Sequence, residues 1–252
     1  VQKVSRAAGA VASIIGICSF MLNRTRLIDP PESASRSSSG KDGAPGVLGA
    51  LRAATAERHE LLHEIMPLSV NSVALRDYLA HLAILRDWLV PLEAWLGSFG
   101  DGPQSPAHLP AHSPVLPARF DRLALIAADL SHPSVDPHDR AGMPAPTVAR
   151  AWRGDASAAR RWGICYVIEG SQLGGAVLYA KLKDRLAPHP LEYLSAGRDS
   201  LGARWQVFLR AMAAEVDTAT LIDEACRGAA DAFDRLIELA RCPATAACVN
   251  AD

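Results

Sequence analysis

Apolar residues recur every three to four positions along most of the chain from residue 47 onward, and this spacing predicts helices. In VLGALRAATAERHELLHEIM, residues Leu48, Leu51, Thr55, Leu62 and Ile65 fall close to one stripe, and Pro67 stops the run. The pattern repeats over residues 73 to 99, with Tyr78, Leu82, Leu85 and Leu89 in register and Pro91 expected to bend the helix. A loop over residues 100 to 117 precedes a shorter helix at about 118 to 130, and a second Pro-rich loop covers about 133 to 146. Helices follow over 156 to 186, about 200 to 216 and 218 to 241. No strand alternation of useful length interrupts them, so the expected class is an all-α bundle.

One of these helices breaks a local rule. The segment from residue 156 to 186 has polar ends and an apolar middle, yet it contains Gly170, Gly174 and Gly175. Each glycine costs a helix about 1 kcal/mol relative to alanine. Two uses could offset that: close approach of a neighbouring helix, or a bare backbone face on which a flat cofactor can lie.

The first 45 residues differ from the rest. Residues 7 to 22 are an apolar run behind Lys3 and Arg6, with the charge and length of a signal-peptide core but no small-residue cleavage site after it. The run is shorter than the roughly 20 residues of a stable membrane span. The Ser-, Pro- and Gly-rich stretch behind it has too little apolar surface to order itself. Residues 1–45 therefore read as a disordered or leader-like extension.

Charge and cysteine usage remove whole classes of function. Lys+Arg 26 against Asp+Glu 27 leaves a net charge of -1, with no overall field to draw the chain onto nucleic acid or an anionic membrane. Cys18, Cys165, Cys226, Cys242 and Cys248 form no CxxC pair or zinc-ribbon spacing. They read as reduced thiols of a cytoplasmic protein.

The candidate chemistry begins with RHELLHEIM, where His59, Glu60 and His63 spell the His-Glu-x-x-His pattern of zinc peptidases. Such a site needs a third ligand downstream. Here Met66 and Pro67 break the run, no histidine follows before His81, and Glu93 lacks the acidic neighbour that would support it. Two helical histidines can equally be a solvated or half-buried pair.

LRAATAERH at residues 51–59 and EGSQLGGAVL at 169–178, in that order and at that separation, resemble the haem oxygenases. The likeness is closest to the bacterial biliverdin-producing type found beside bacteriophytochromes, and it covers about residues 47 to 241. It implies a helical bundle with haem sandwiched between a proximal helix and a glycine-kinked distal helix. The domain would occupy residues 46–242, followed by a flexible tail at 243–252.

By that resemblance His59 is the proximal iron ligand, and His63 is incidental. Arg52, seven residues before His59 and so on the same helix face, would meet a haem propionate, and Arg210 a second one. Gly170 and Gly174 would bring backbone close to the distal face. Mammalian members have an aspartate after the first distal glycine, where it orders a proton-delivering water network; this chain has Ser171 there, with Gln172 beside it. The implied reaction is cleavage of haem, both substrate and cofactor, by O2 to biliverdin, CO and free iron. The chain has no GxGxxG or flavin signature, so a separate ferredoxin or flavoprotein reductase would supply electrons. A bacteriophytochrome is the implied acceptor of biliverdin. A haem-binding or trafficking protein without turnover is the alternative on the same fold.

Overall fold

A computed structural model describes residues 46–108, 121–141, 143, 151–154 and 157–242. The leader-like segment 1–45 and the tail 243–252 lie outside the described residues. The helices are α1 (Val47–Ile65), α2 (Leu75–Leu96), α3 (Arg122–Ser131), α4 (Pro137–Ala141), α5 (Ala158–Leu182), α6 (Glu192–Ser195), α7 (Leu201–Glu215) and α8 (Ala219–Arg241). Among the described residues there is no strand, and the all-α class stands.

The helix ends follow from local chemistry. Met66 is extended because Pro67 follows it, and that ends α1. The side chains of Asp121, Ser157 and Thr218 accept hydrogen bonds from the first-turn N–H groups of Ala124, Arg160 and Leu221, capping α3, α5 and α8. Helix α2 continues through Pro91, and α5 runs unbroken through all three of its central glycines. The buried stripe of α1 is Val47, Leu51, Thr55 and Leu62; Leu48 and Ile65 are half-buried, since the stripe begins one position earlier than the spacing suggested.

Helix α8 is the axis on which the others lean. Its buried face is built from Ala225, Gly228, Ala229 and Ala232, with Phe233, Leu236 and Ile237 beyond. Small residues let α5 come in backbone to backbone. A methyl group on Gly163 would overlap the Ala225 carbonyl, and one on Gly228 the Arg160 carbonyl. On another side, Arg58 of α1 forms a two-toothed ion pair with Asp234, at 2.8 and 3.0 Å. From α2, the buried Trp88 indole donates to the Ala232 carbonyl at 3.0 Å. Helices α1 and α5 both pack extensively on α8 and hardly on each other, while α7 touches both. Helix α8 therefore carries both α1 and α5, and α7 bridges the two.

The turn between α5 and α7 is held by one buried carboxylate. Asp129, at the end of α3, accepts from the Tyr78 hydroxyl at 2.6 Å and from the N–H groups of Glu192 and Tyr193 at 2.9 Å. It thereby caps the four-residue helix α6 from across the fold. His189 completes the post: Nδ1 accepts from the Leu191 N–H, so Nε2 must donate to the Asp129 carbonyl at 3.0 Å, which fixes a neutral tautomer. No helix among the described residues is long and apolar enough to cross a membrane.

Candidate functional site

Helix α5 changes character halfway along. Every residue from Arg161 to Ile168 is buried, whereas every residue from Glu169 to Tyr179 is only half-buried. A helix packed on one side alone would alternate between the two states. This half borders open space, and the glycines show where. A Cβ on Gly174 would have nothing within 4 Å, while one on Gly170 would stand 3.8 Å from the Trp205 ring and one on Gly175 3.5 Å from Leu194.

The two uses of glycine are thus divided within one helix. Gly163, which the pattern did not single out, serves helix-to-helix approach with Gly228. Gly174 leaves a bare face. Gly170 lies at its edge, against Trp205 of α7.

Ser171 borders the same strip, since Ser171 and Gly174 are three residues apart on one helix face, whereas Gln172, two residues from each glycine, lies on the other side of the helix. The Ser171 hydroxyl donates back to the Ile168 carbonyl at 2.7 Å. The Gln172 amide donates to the Tyr193 hydroxyl at 3.2 Å. Glu169, just before Gly170, is gripped by two buried arginines: Arg122 at 2.6 Å and Arg204 at 3.4 Å, with Glu93 on the far side of Arg122 at 3.7 Å. This cluster pins the helix immediately before its glycines. Burial opposes the Arg122 charge, but the paired Glu169 outweighs it and holds the guanidinium above its ordinary range.

Across α8, His59 stands at the exposed edge of α1 with its ring 6.3 Å from Phe233 in a T-shaped arrangement. Desolvation by the surrounding protein lowers its proton affinity; Glu60 opposes the shift and His63 adds to it. This favours the neutral imidazole, which offers a nitrogen lone pair. His63, one turn on, is half-buried. Arg52 is half-buried two turns earlier on the same face as His59.

Arg210 is exposed on α7, well round the helix from Trp205. It is Arg204, buried and bound to Glu169, that reaches the glycine helix instead. Nothing in the α7 sequence marks Arg204 over Arg210 except that it precedes Trp205 and so shares the inward side. Tyr193 was equally invisible, because α6 is too short to show a period. Of the residues singled out from the sequence, Gly170, Ser171 and Gly174 share one strip of α5, and Arg52 and His59 share one face of α1.

A sequence model of the family described as Heme oxygenase matches residues 46–241. The chain is also similar to a protein named "Heme oxygenase" from Xanthomonas campestris pv. campestris (strain 8004), 38% identical over 79 residues. That alignment covers 31% of this chain and 47% of the relative, so the chain spans about half the length of the curated relative it matches.

Proposed function

The chain belongs to the haem oxygenase family, and from that premise we propose that it cleaves haem oxidatively to biliverdin, CO and free iron. The observation that carries the reading is the bare strip at Gly174, where a side chain's place is empty. A flat macrocycle needs such a face, and a metal-bearing one needs a neutral donor; His59 on α1 is that donor. The residues present fit the group.

Bound haem would supply the oxygen-activating iron and the ring that is broken. The protein's part is placement. His59 would hold the iron through its neutral imidazole, and Arg52 on the same face would meet a propionate. Arg210, on the helix that touches α1, would supply a second positive charge for the carboxylates. Gly170 and Gly174 would admit the macrocycle to the α5 backbone, limiting which edge of it meets O2. The Arg122–Glu169–Arg204 cluster would keep that backbone in place. Electrons would come from a ferredoxin or flavoprotein reductase, and the product would pass to an acceptor such as a bacteriophytochrome, in keeping with the bacterial biliverdin-producing type.

One observation favours a second reading, a haem-binding or trafficking protein without turnover. The Ser171 proton is engaged with the Ile168 carbonyl and so is not offered to a ligand on the strip. A single experiment separates the two. Haemin-loaded protein given a reductant and O2 should lose its Soret band and release biliverdin identified by its mass and spectrum. An unchanged Soret band after reduction would leave the trafficking reading.

A further inference from the structure

Stepping four residues at a time along α5 from Trp162 gives Tyr166, Gly170 and Gly174, so these four positions form one ridge of the helix. The first two carry aromatic rings and the last two carry nothing. Helix α7 meets the ridge with rings of its own: the Phe208 centroid lies 5.4 Å from that of Trp162, and the Trp205 centroid 5.6 Å from that of Tyr166. Trp205 and Phe208 are themselves stacked, 5.6 Å apart with 15° between their planes. This aromatic ladder ends at Trp205, and beyond it the ridge is bare.

The end of the ladder is sharply placed. The Cη2 edge of the buried Trp205 indole lies 3.8 Å from where a Cβ on Gly170 would stand, whereas at Gly174, one turn on, nothing comes within 4 Å. A separation of 3.8 Å is ordinary contact, so the approach of α7 does not require a glycine at 170. The indole is also held in place: Tyr166 and Phe208 flank its ring, and Arg204 beside it is tied to Glu169 at 3.4 Å. A ring packed in this way acts as a wall, because close-packed side chains yield little.

We propose that Trp205 is a specificity-determining residue of the haem site: its indole edge closes the bare strip at Gly170 and leaves the macrocycle one seating, over Gly174. The proposal rests on the haem-cleavage reading and deepens it. A flat ring turned or slid within its own plane presents a different meso carbon to the same point on α5. With the wall in place, sliding toward Gly170 drives the macrocycle into the indole, and the repulsion rises steeply within a fraction of an ångström. The meso edge that O2 meets is then set by a side chain of α7 acting with the glycines of α5.

The test is proton NMR of the haemin-loaded protein as its ferric cyanide complex, together with the biliverdin isomers released on turnover. In the unmodified protein the Trp205 ring protons should show nuclear Overhauser effects to haem substituents, and one biliverdin isomer should dominate. Trp205→Phe removes the far edge of the indole but keeps a ring on the ladder. It should bring up a second set of haem-methyl resonances and raise the share of a second isomer about fivefold or more, the size expected for a few lost ring-edge contacts. Trp162→Phe, at the other end of the ladder, costs packing without moving the wall and should keep one set and one isomer. An equal change in Trp162→Phe, or no change in a folded Trp205→Phe protein, overturns the proposal while leaving the haem reading intact. Should Trp205→Phe fail to fold, the Overhauser effects in the unmodified protein decide, and their absence overturns it. Failure of the unmodified protein to bind haemin saturably removes both.

Discussion

Gly163 and Ala225 meet backbone to backbone, so closely that the glycine could not carry even a methyl group without displacing the alanine carbonyl. Eleven residues later in the same helix, Gly174 faces nothing within 4 Å. The same residue type therefore has opposite worth at two places. Gly163→Ala should destabilise the ligand-free protein by about 3 kcal/mol through overpacking against backbone that cannot yield. Gly174→Ala should leave it unchanged or raise stability by up to about 1 kcal/mol, since alanine is the better helix former. Urea unfolding of both variants checks the contrast.

Asp129 links α3 to the start of α6 by accepting one hydroxyl and two backbone N–H groups while fully buried. Asp129→Ala would leave all three donors without an acceptor. A loss of about 3 kcal/mol is expected. Asp129→Asn, which keeps one acceptor oxygen, should lose less, and thermal melts of the two variants would show the order.

The pH dependence of stability has a predictable sign. Burial pushes His81 down to about 4, so the folded protein refuses a proton that the unfolded chain accepts as pH falls through about 6.5. The stability tied to His81 is thus fully present above that value and is lost as pH falls toward 4. Between pH 7 and pH 5 the unmodified protein should lose about 2 kcal/mol more than His81→Leu. His59 is displaced in the same direction and adds to the acid sensitivity. Denaturant titrations at the two pH values measure the difference.

How much of this was legible in the sequence differs from element to element. The long helices were, because each buries one face and the apolar period survives over several turns; α1, α7 and α8 begin and end within a few residues of where the pattern put them. Helix α6 was not. Four residues hold barely one turn, and its existence depends on Asp129, more than sixty residues earlier in the chain. The glycines of α5 were visible as an anomaly, but which one packs and which one stays bare depends on what stands opposite. Gly163 sits among buried apolar neighbours and raised no alarm, though the backbone it meets, at Ala225 and Ala229, belongs to the small-residue stripe of α8. Arg204 and Glu169 form an ion pair that no spacing rule connects, whereas Arg52 and His59 share a face because seven residues are close to two turns.

The two histidines of RHELLH are separable by experiment. His59→Ala should abolish a histidine-ligated haem spectrum, while His63→Ala should retain it with at most a few-fold change in haemin affinity. Absorbance and electron paramagnetic resonance of the ferric complexes distinguish the outcomes. Equal loss in both variants would mean that the pair acts as a unit.

The most direct test of the account is a haemin titration of the unmodified protein and Gly174→Leu, with the ligand-free stability of each measured alongside. A leucine at Gly174 would occupy the strip on which the macrocycle is proposed to lie. Haemin affinity should fall at least tenfold, equivalent to about 1.4 kcal/mol, while the ligand-free melting transition is retained. Unchanged haemin affinity in a folded Gly174→Leu protein would contradict the claim that the bare face of α5 is the haem site.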